Sequence, residues 1–168
     1  LNKINLNTNF INNIGEKWAS KIVETTWKVG GNSAENITNV IPSVVYQNEI
    51  INPVTTNTTD GETEYKAKIG LMYVSDYGFA ASRVAWKWSG NSYASFVAIN
   101  WMYMGLYELT ITRVANSNKY DYIVYETGGY NHGGYVTWND AIRPVFNLVP
   151  STTYVRGTGT ISDPIIIN

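Results

Sequence analysis

Apolar positions first recur at helical spacing. Phe10, Ile11, Ile14, Trp18, Ile22 and Trp27 predict an amphipathic helix from Thr8 to Val29, which Thr8 or Asn9 can cap and Gly30-Gly31 can end. Its tail, "TTWKVGG", reads as a short extended piece because Thr25, Thr26 and Val29 are β-branched. Residues 32–63 lose periodicity and gain Pro42, Pro53 and a "TTNTTDGET" tract, so they predict a loop-rich surface excursion with one short element over Ser43–Ile51.

Beyond it the period shortens. Ala67–Val74 predicts a strand followed by a short helix that Ser75 can cap, and Ser82–Ile99 a broken aromatic segment. The longest strand signal is "NWMYMGLYELTITRV", split at Gly105, where Tyr107, Leu109 and Ile111 alternate with Glu108, Thr110 and Thr112. After Val114 come short β pieces: "YDYIVYE", a turn at "TGGYNHGGY", "YVTW", "IRPVFNL" and a last hairpin reversing at Gly157-Thr158-Gly159. One helix near the start and mostly β structure after it predict a single α+β domain over residues 1–168, with 32–63 as an insertion.

Composition narrows the function classes. At 168 residues with 44% hydrophobic content the chain can bury one sizeable core. A net charge of -1 and scattered basic residues leave no footprint for a phosphate backbone, so nucleic acid is not expected as a partner. Zero Cys removes disulfides, thiolate nucleophiles and Cys-based metal sites. No window approaches a membrane-spanning apolar length. The chain begins at Leu1 without an initiator Met or a signal-peptide pattern, so a secretion or anchoring segment is expected to have preceded it. The sequons at Asn36 and Asn57 would matter only in a eukaryotic secretory pathway.

Six Trp and thirteen Tyr interleaved with Asn and Gly suit a recognition surface, since rigid rings supply contact area and amides supply adaptable hydrogen bonds. The densest cluster gives the candidate ligand-binding residues Asn118, Tyr120, Tyr122, Tyr125, Tyr130, Asn131, His132, Tyr135, Trp138 and Asn139. Strand alternation sends some of these rings to the core and leaves the rest for a Tyr/Asn-rich outer face. His132, the one histidine, has no sequence-near partner for base catalysis or metal binding. Asp121, Glu126 and Asp140 share this region and could form a glycosidase pair, although solvated loop acids are the simpler reading. Asp60, Glu62 and Glu64 read as a charged loop face. In "IRPVFNL", Arg143 is expected to pair with backbone carbonyls or an acid behind the sheet, and Pro144 to sit at a strand entry.

The segments "WKVGG", "KIGLMYVSDYGFAAS", "NWMYMGLYELTITR", "IRPVFNL" and "YVRGTGTISDPIII", in that order, resemble a family of surface proteins from gut-dwelling Firmicutes, often with pilin-like or secretory N-termini. More distantly the chain is similar to C-type-lectin-fold domains, including the formylglycine-generating-enzyme-like branch and the variable proteins of diversity-generating retroelements. That resemblance implies a rigid scaffold in which Arg113 and Arg143 bracket a display surface over Asn116–Asn139. The cysteine chemistry of the enzyme branch has no counterpart here, so a non-enzyme is expected. "WND" at 138–140 matches the tripeptide that gives calcium and sugar ligands in C-type lectins, but its companion tripeptide is missing, so no cofactor is expected and calcium stands as the alternative. The expected protein is an adhesin-like domain on a bacterial surface or pilus, binding a protein or glycan on another cell or host surface. The alternatives are a structural pilin-like subunit contacting other pilus subunits, and a carbohydrate-active enzyme.

Overall fold

The computed structural model describes residues 2–33, 40–54, 63–88 and 99–168. Within them the chain is mixed α+β, with short helices and small twisted sheets. It gathers into two compact units: one from residues 1–25, 67–69 and 146–168, the other from 26–66 and 70–145. Among the described residues no helix is long and apolar enough to cross a membrane. Asn36, Asn57, Asp60, Glu62 and most of the aromatic segment 82–99 lie outside the described residues.

The first unit opens with helical turns earlier and shorter than the Thr8–Val29 periodicity predicts. Asn2–Phe10 winds as a wide π-helix, followed by α1 (Ile11–Ile14) and α2 (Glu16–Ala19). Neither Thr8 nor Asn9 is a cap, since both lie inside the first helical segment. Gly15, at φ 80°, breaks the run in a left-handed conformation that only glycine adopts freely. After Ala19 the β-branched residues take over: Ile22 bridges Leu148, and Val23 N–H donates to the Asn147 carbonyl at 3.0 Å. Asn7 presents its amide to Ile69 like a strand edge, donating from Nδ2 to the carbonyl at 2.9 Å and accepting from the N–H at 2.8 Å. The hairpin of β10 (Tyr154–Arg156) and β11 (Ile166–Ile167) completes this unit, but it reverses later than the predicted Gly157-Thr158-Gly159: Thr160 and Asp163 bridge across a turn at Ile161 and Ser162, and Gly159 N–H donates to the Asp163 carbonyl at 3.0 Å.

In the second unit β1 (Thr25–Lys28) pairs with β3 (Glu64–Ala67), and the Lys28 ammonium meets the Glu64 carboxylate across the pair. Trp27 is buried on β1, in the extended piece that the β-branched residues of "TTWKVGG" predict and not on a helix continued to Val29. Gly30 and Gly31 are not helix stops. A Cβ on Gly30 would fall 2.3 Å from the Asn48 carbonyl oxygen, and one on Gly31, in β2 (Gly31–Asn32), 1.6 Å from that of Arg113.

The segment predicted as surface excursion instead contributes to the interior. Pro42 opens α3 (Pro42–Tyr46), continued by a π-helical turn Gln47–Ile51, and Val45 and Glu49, one turn apart, are both fully buried. The predicted strand Ala67–Val74 is divided between β3 and β4 (Ile69–Leu71), and α4 (Val74–Phe79) follows. Ser75 lies inside α4 rather than capping it; Tyr73 holds the cap position in extended conformation and gives its N–H to the Asp76 carboxylate at 3.1 Å. Arg83–Lys87 forms a 3-10 turn.

The main sheet runs β2-β5-β6-β7, with β8 (Ala141–Ile142) parallel to β5. β5 (Glu108–Val114) is the longest strand, β6 (Tyr120–Val124) and β7 (Tyr130–Tyr135) form an antiparallel hairpin, and β2 joins β5 in parallel. "YNHGGY" is therefore strand rather than turn, and the reversal falls one step earlier, where Tyr125 N–H donates to the Gly129 carbonyl at 2.7 Å. "YVTW" is the turn that follows β7, not a strand: Trp138 N–H donates to the Tyr135 carbonyl at 2.9 Å. Pro144 starts β9 (Pro144–Phe146), which pairs with β4, as a strand-entry proline should.

Candidate functional site

The predicted recognition residues all lie on or beside the β6–β7 hairpin, and the fold divides them. Facing the core are Glu108, Thr110, Thr112 and Val114 of β5, Tyr122 and Val124 of β6, and Tyr130 of β7. Tyr122 and Tyr130, at 0% and 1% exposure, are thus removed from the binding face. Their rings fill the core, and their hydroxyls reach backbone carbonyls outside the hairpin. Tyr122 donates to the Asn32 carbonyl at 2.9 Å, and Tyr130 to that of Val40 at 2.9 Å.

The polar half of the β5 repeat points inward with them, while Leu109 of the apolar half is buried on the opposite face. Thr110 Oγ1 donates to the Tyr122 carbonyl at 2.7 Å, and Thr112 Oγ1 to the Glu49 carboxylate, which also accepts the Ser75 N–H at 3.3 Å. Burial pushes Glu49 up to about 7, against the pull of the Ser75 and Thr112 hydrogen bonds. Sequence reasoning missed this residue. The signal was its spacing: an acid four residues after Val45 in an apolar helical run falls on the buried stripe. Arg143 behaves as expected, donating from one terminal nitrogen to the Met102 carbonyl at 2.8 Å and to Glu108 Oε2 at 2.9 Å, with Nε 2.9 Å from Oε1. A guanidinium paired with a 4%-exposed carboxylate is structural.

On the opposite face lies a row that crosses four strands in register: Gly31, Arg113, Asp121 and Gly134. The flanking positions are both crowded: a Cβ on Gly31 would meet the Arg113 backbone, and one on Gly134 would come 2.3 Å from Ile123 Cγ2. Two opposite charges therefore stand between two buried glycines. Around them opens a cleft of about 260 Å³ lined by Arg113, Ser117, Asn118, Tyr120, Asp121 and Val136. Asp121 is a strand residue, half-buried, and not the solvated loop acid its neighbours suggest. Burial raises it to about 7 although the Arg113 charge pulls the other way.

Beside the cleft, Tyr120, Tyr135 and Trp138 form a chain of rings. Tyr120 and Tyr135 are paired across the strands with centroids 4.6 Å apart, and Trp138 lies 5.4 Å from Tyr135. The Tyr120 hydroxyl donates to that of Tyr135 at 3.0 Å. Tyr135 and Trp138 remain 41% and 48% exposed, and Asn118 and Asn139 are exposed as well. Tyr120 belongs both to the rings and to the cleft.

The other predicted residues are elsewhere. Tyr125 sits at the turn end of the hairpin, edge-to-face with Tyr107 at 5.4 Å, where Glu126 accepts from the Tyr107 hydroxyl at 3.3 Å. Asn131 is half-buried opposite Ile123, and His132 stands opposite Tyr122 in the ladder. Glu126 lies in the turn beyond β6, five residues after Asp121 and past the end of the strand that holds it. Asp140 is half-buried, and burial raises its pKa. Among the described residues no three His, Cys, Asp or Glu gather as a metal site.

The first unit holds a larger concavity, about 620 Å³, with Phe10, Ile14, Trp18, Phe146 and Leu148 among its walls. Its walls are aliphatic and aromatic throughout, so it lacks the charged and amide groups that orient a ligand; the smaller cleft has both. No family model, curated protein or solved structure matches the chain.

Proposed function

We propose that this chain is a non-enzymatic, adhesin-like recognition domain of C-type-lectin-like fold, displayed on a bacterial surface or pilus, that binds a protein or glycan of another cell or host surface. What carries the reading is one juxtaposition: exposed, mutually packed Tyr135 and Trp138 beside a cleft lined by an Arg and an Asp of the two central strands and an Asn of the loop that joins them. Rings anchored by one another bind with little entropy to lose, and the amide and charged groups give direction. The motifs shared with Firmicutes surface proteins and retroelement variable proteins support the placement on a surface.

The decisive variant is Tyr135→Ala/Trp138→Ala, which alters two half-exposed side chains. On protein and glycan arrays, with and without calcium, it should lose at least about tenfold in ligand capture while keeping its melting temperature within a few degrees. Wild-type capture by this variant would overturn the assignment. A second reading draws support from Asp121, whose raised pKa in a cleft suits a general acid on an oligosaccharide. Turnover of an oligosaccharide by the wild-type chain, absent in Asp121→Asn, would establish that instead.

A further inference from the structure

The chemistry of the cleft narrows the ligand. A protein partner needs roughly 800 Å² of matched surface on each side. A recess of about 260 Å³ falls below the usual range for drug-sized ligands, so it takes one compact group. Its floor offers both hydrogen-bonding senses: Asp121 accepts, Arg113 donates, and Asn118 and Ser117 do both. Carboxylate, guanidinium and amide are planar and present two atoms at once, which matches adjacent hydroxyls. Above about pH 7, where Asp121 is ionised, the opposite charges cancel across the row, so a neutral occupant fits and an anionic one meets Asp121. Tyr120 and Val136 add apolar wall for ring C–H groups. The floor is fixed before binding, since Arg113 and Asp121 stand on laddered strands.

We propose that the Arg113–Asp121 cleft binds a single neutral sugar ring of a glycan, with the Tyr135–Trp138 rings contacting the residues attached to it. This rests on the recognition reading above and selects the glycan over the protein. The test is a titration of the ¹⁵N-labelled chain with glucose, galactose, mannose and N-acetylglucosamine, reading backbone amide shifts. At least one sugar should saturate, with a Kd on the order of millimolar, and move the amides of Gly31, Arg113, Asn118, Asp121, Gly134 and Val136. Asp121→Asn and, separately, Asn118→Ala should each weaken it by about tenfold or more.

If none of the four sugars moves these amides, or if both variants bind as the wild type does, the inference fails. Should the sugars be silent while Tyr135→Ala/Trp138→Ala still loses a protein from the array, the recognition reading stands and only the sugar assignment falls. Saturation by N-acetylneuraminic acid alone would also overturn it, because the occupant would then be anionic.

Discussion

Arg143 and Glu108 show how much one side chain can depend on another. Glu108 is nearly inaccessible, and desolvation raises its pKa while the Arg143 charge and hydrogen bond work to lower it. Replacing Arg143 by Met should leave a buried, unpaired carboxylate and cost about 3–5 kcal/mol in urea unfolding. The double variant Arg143→Met/Glu108→Leu should recover much of that loss. Equal losses for the single and double variants would mean that the pairing carries no energy. Tyrosine hydroxyls in this molecule divide in the same way. Tyr122→Phe removes the donor to the Asn32 carbonyl inside the core and should lose about 1 kcal/mol. Tyr135→Phe, at an exposed hydroxyl contact, should stay within about 0.5 kcal/mol.

At the scale of elements, the two glycines of the cross-sheet row limit what β2, β6 and β7 can accept. In Gly31→Ala the new methyl meets the Arg113 backbone, which the parallel β2–β5 pairing holds in place, whereas in Gly134→Ala it meets the Cγ2 methyl of the buried Ile123, a side chain that gives way more easily than backbone. Both should lower the melting temperature, Gly31→Ala more. The reverse order would show that β2 is free to move. These elements also show what the sequence could say. β6 and the strand-entry proline followed from local rules, because β-branching and the missing proline N–H act within a few residues. The inward face of β5 did not. Thr110, Glu108 and Thr112 point to the core because their partners lie 12, 35 and 63 residues away, where no periodicity can show them. The recognition face suffered from the same limit: Tyr122 and Trp138 look alike in a string, and only the ladder register sends one inward.

Over the whole molecule the charge environment has one direction. Glu49, Asp76, Glu108, Asp121 and Asp140 all hold their protons more tightly in the folded chain than in a peptide, each chiefly through burial. Between the ordinary carboxylate range and about pH 7 the folded state binds protons that the unfolded chain has released, so stability falls as pH rises through that window. Each such proton contributes a slope of about 1.4 kcal/mol per pH unit. Unfolding free energy should therefore be larger at pH 5 than at pH 8, and Glu49→Gln should flatten the curve. A stability that rises from pH 5 to pH 8 would contradict these environments. The same sheet that buries Tyr122 leaves Asn118, Tyr135, Val136, Trp138 and Asn139 exposed at one corner, outside the core cluster. Structural and tolerant positions alternate there within a few residues, which makes the corner a natural site for a combinatorial library. Codons randomised at those five positions should yield mostly folded clones on display, whereas adding Tyr122 or Gly134 to the set should collapse the folded fraction.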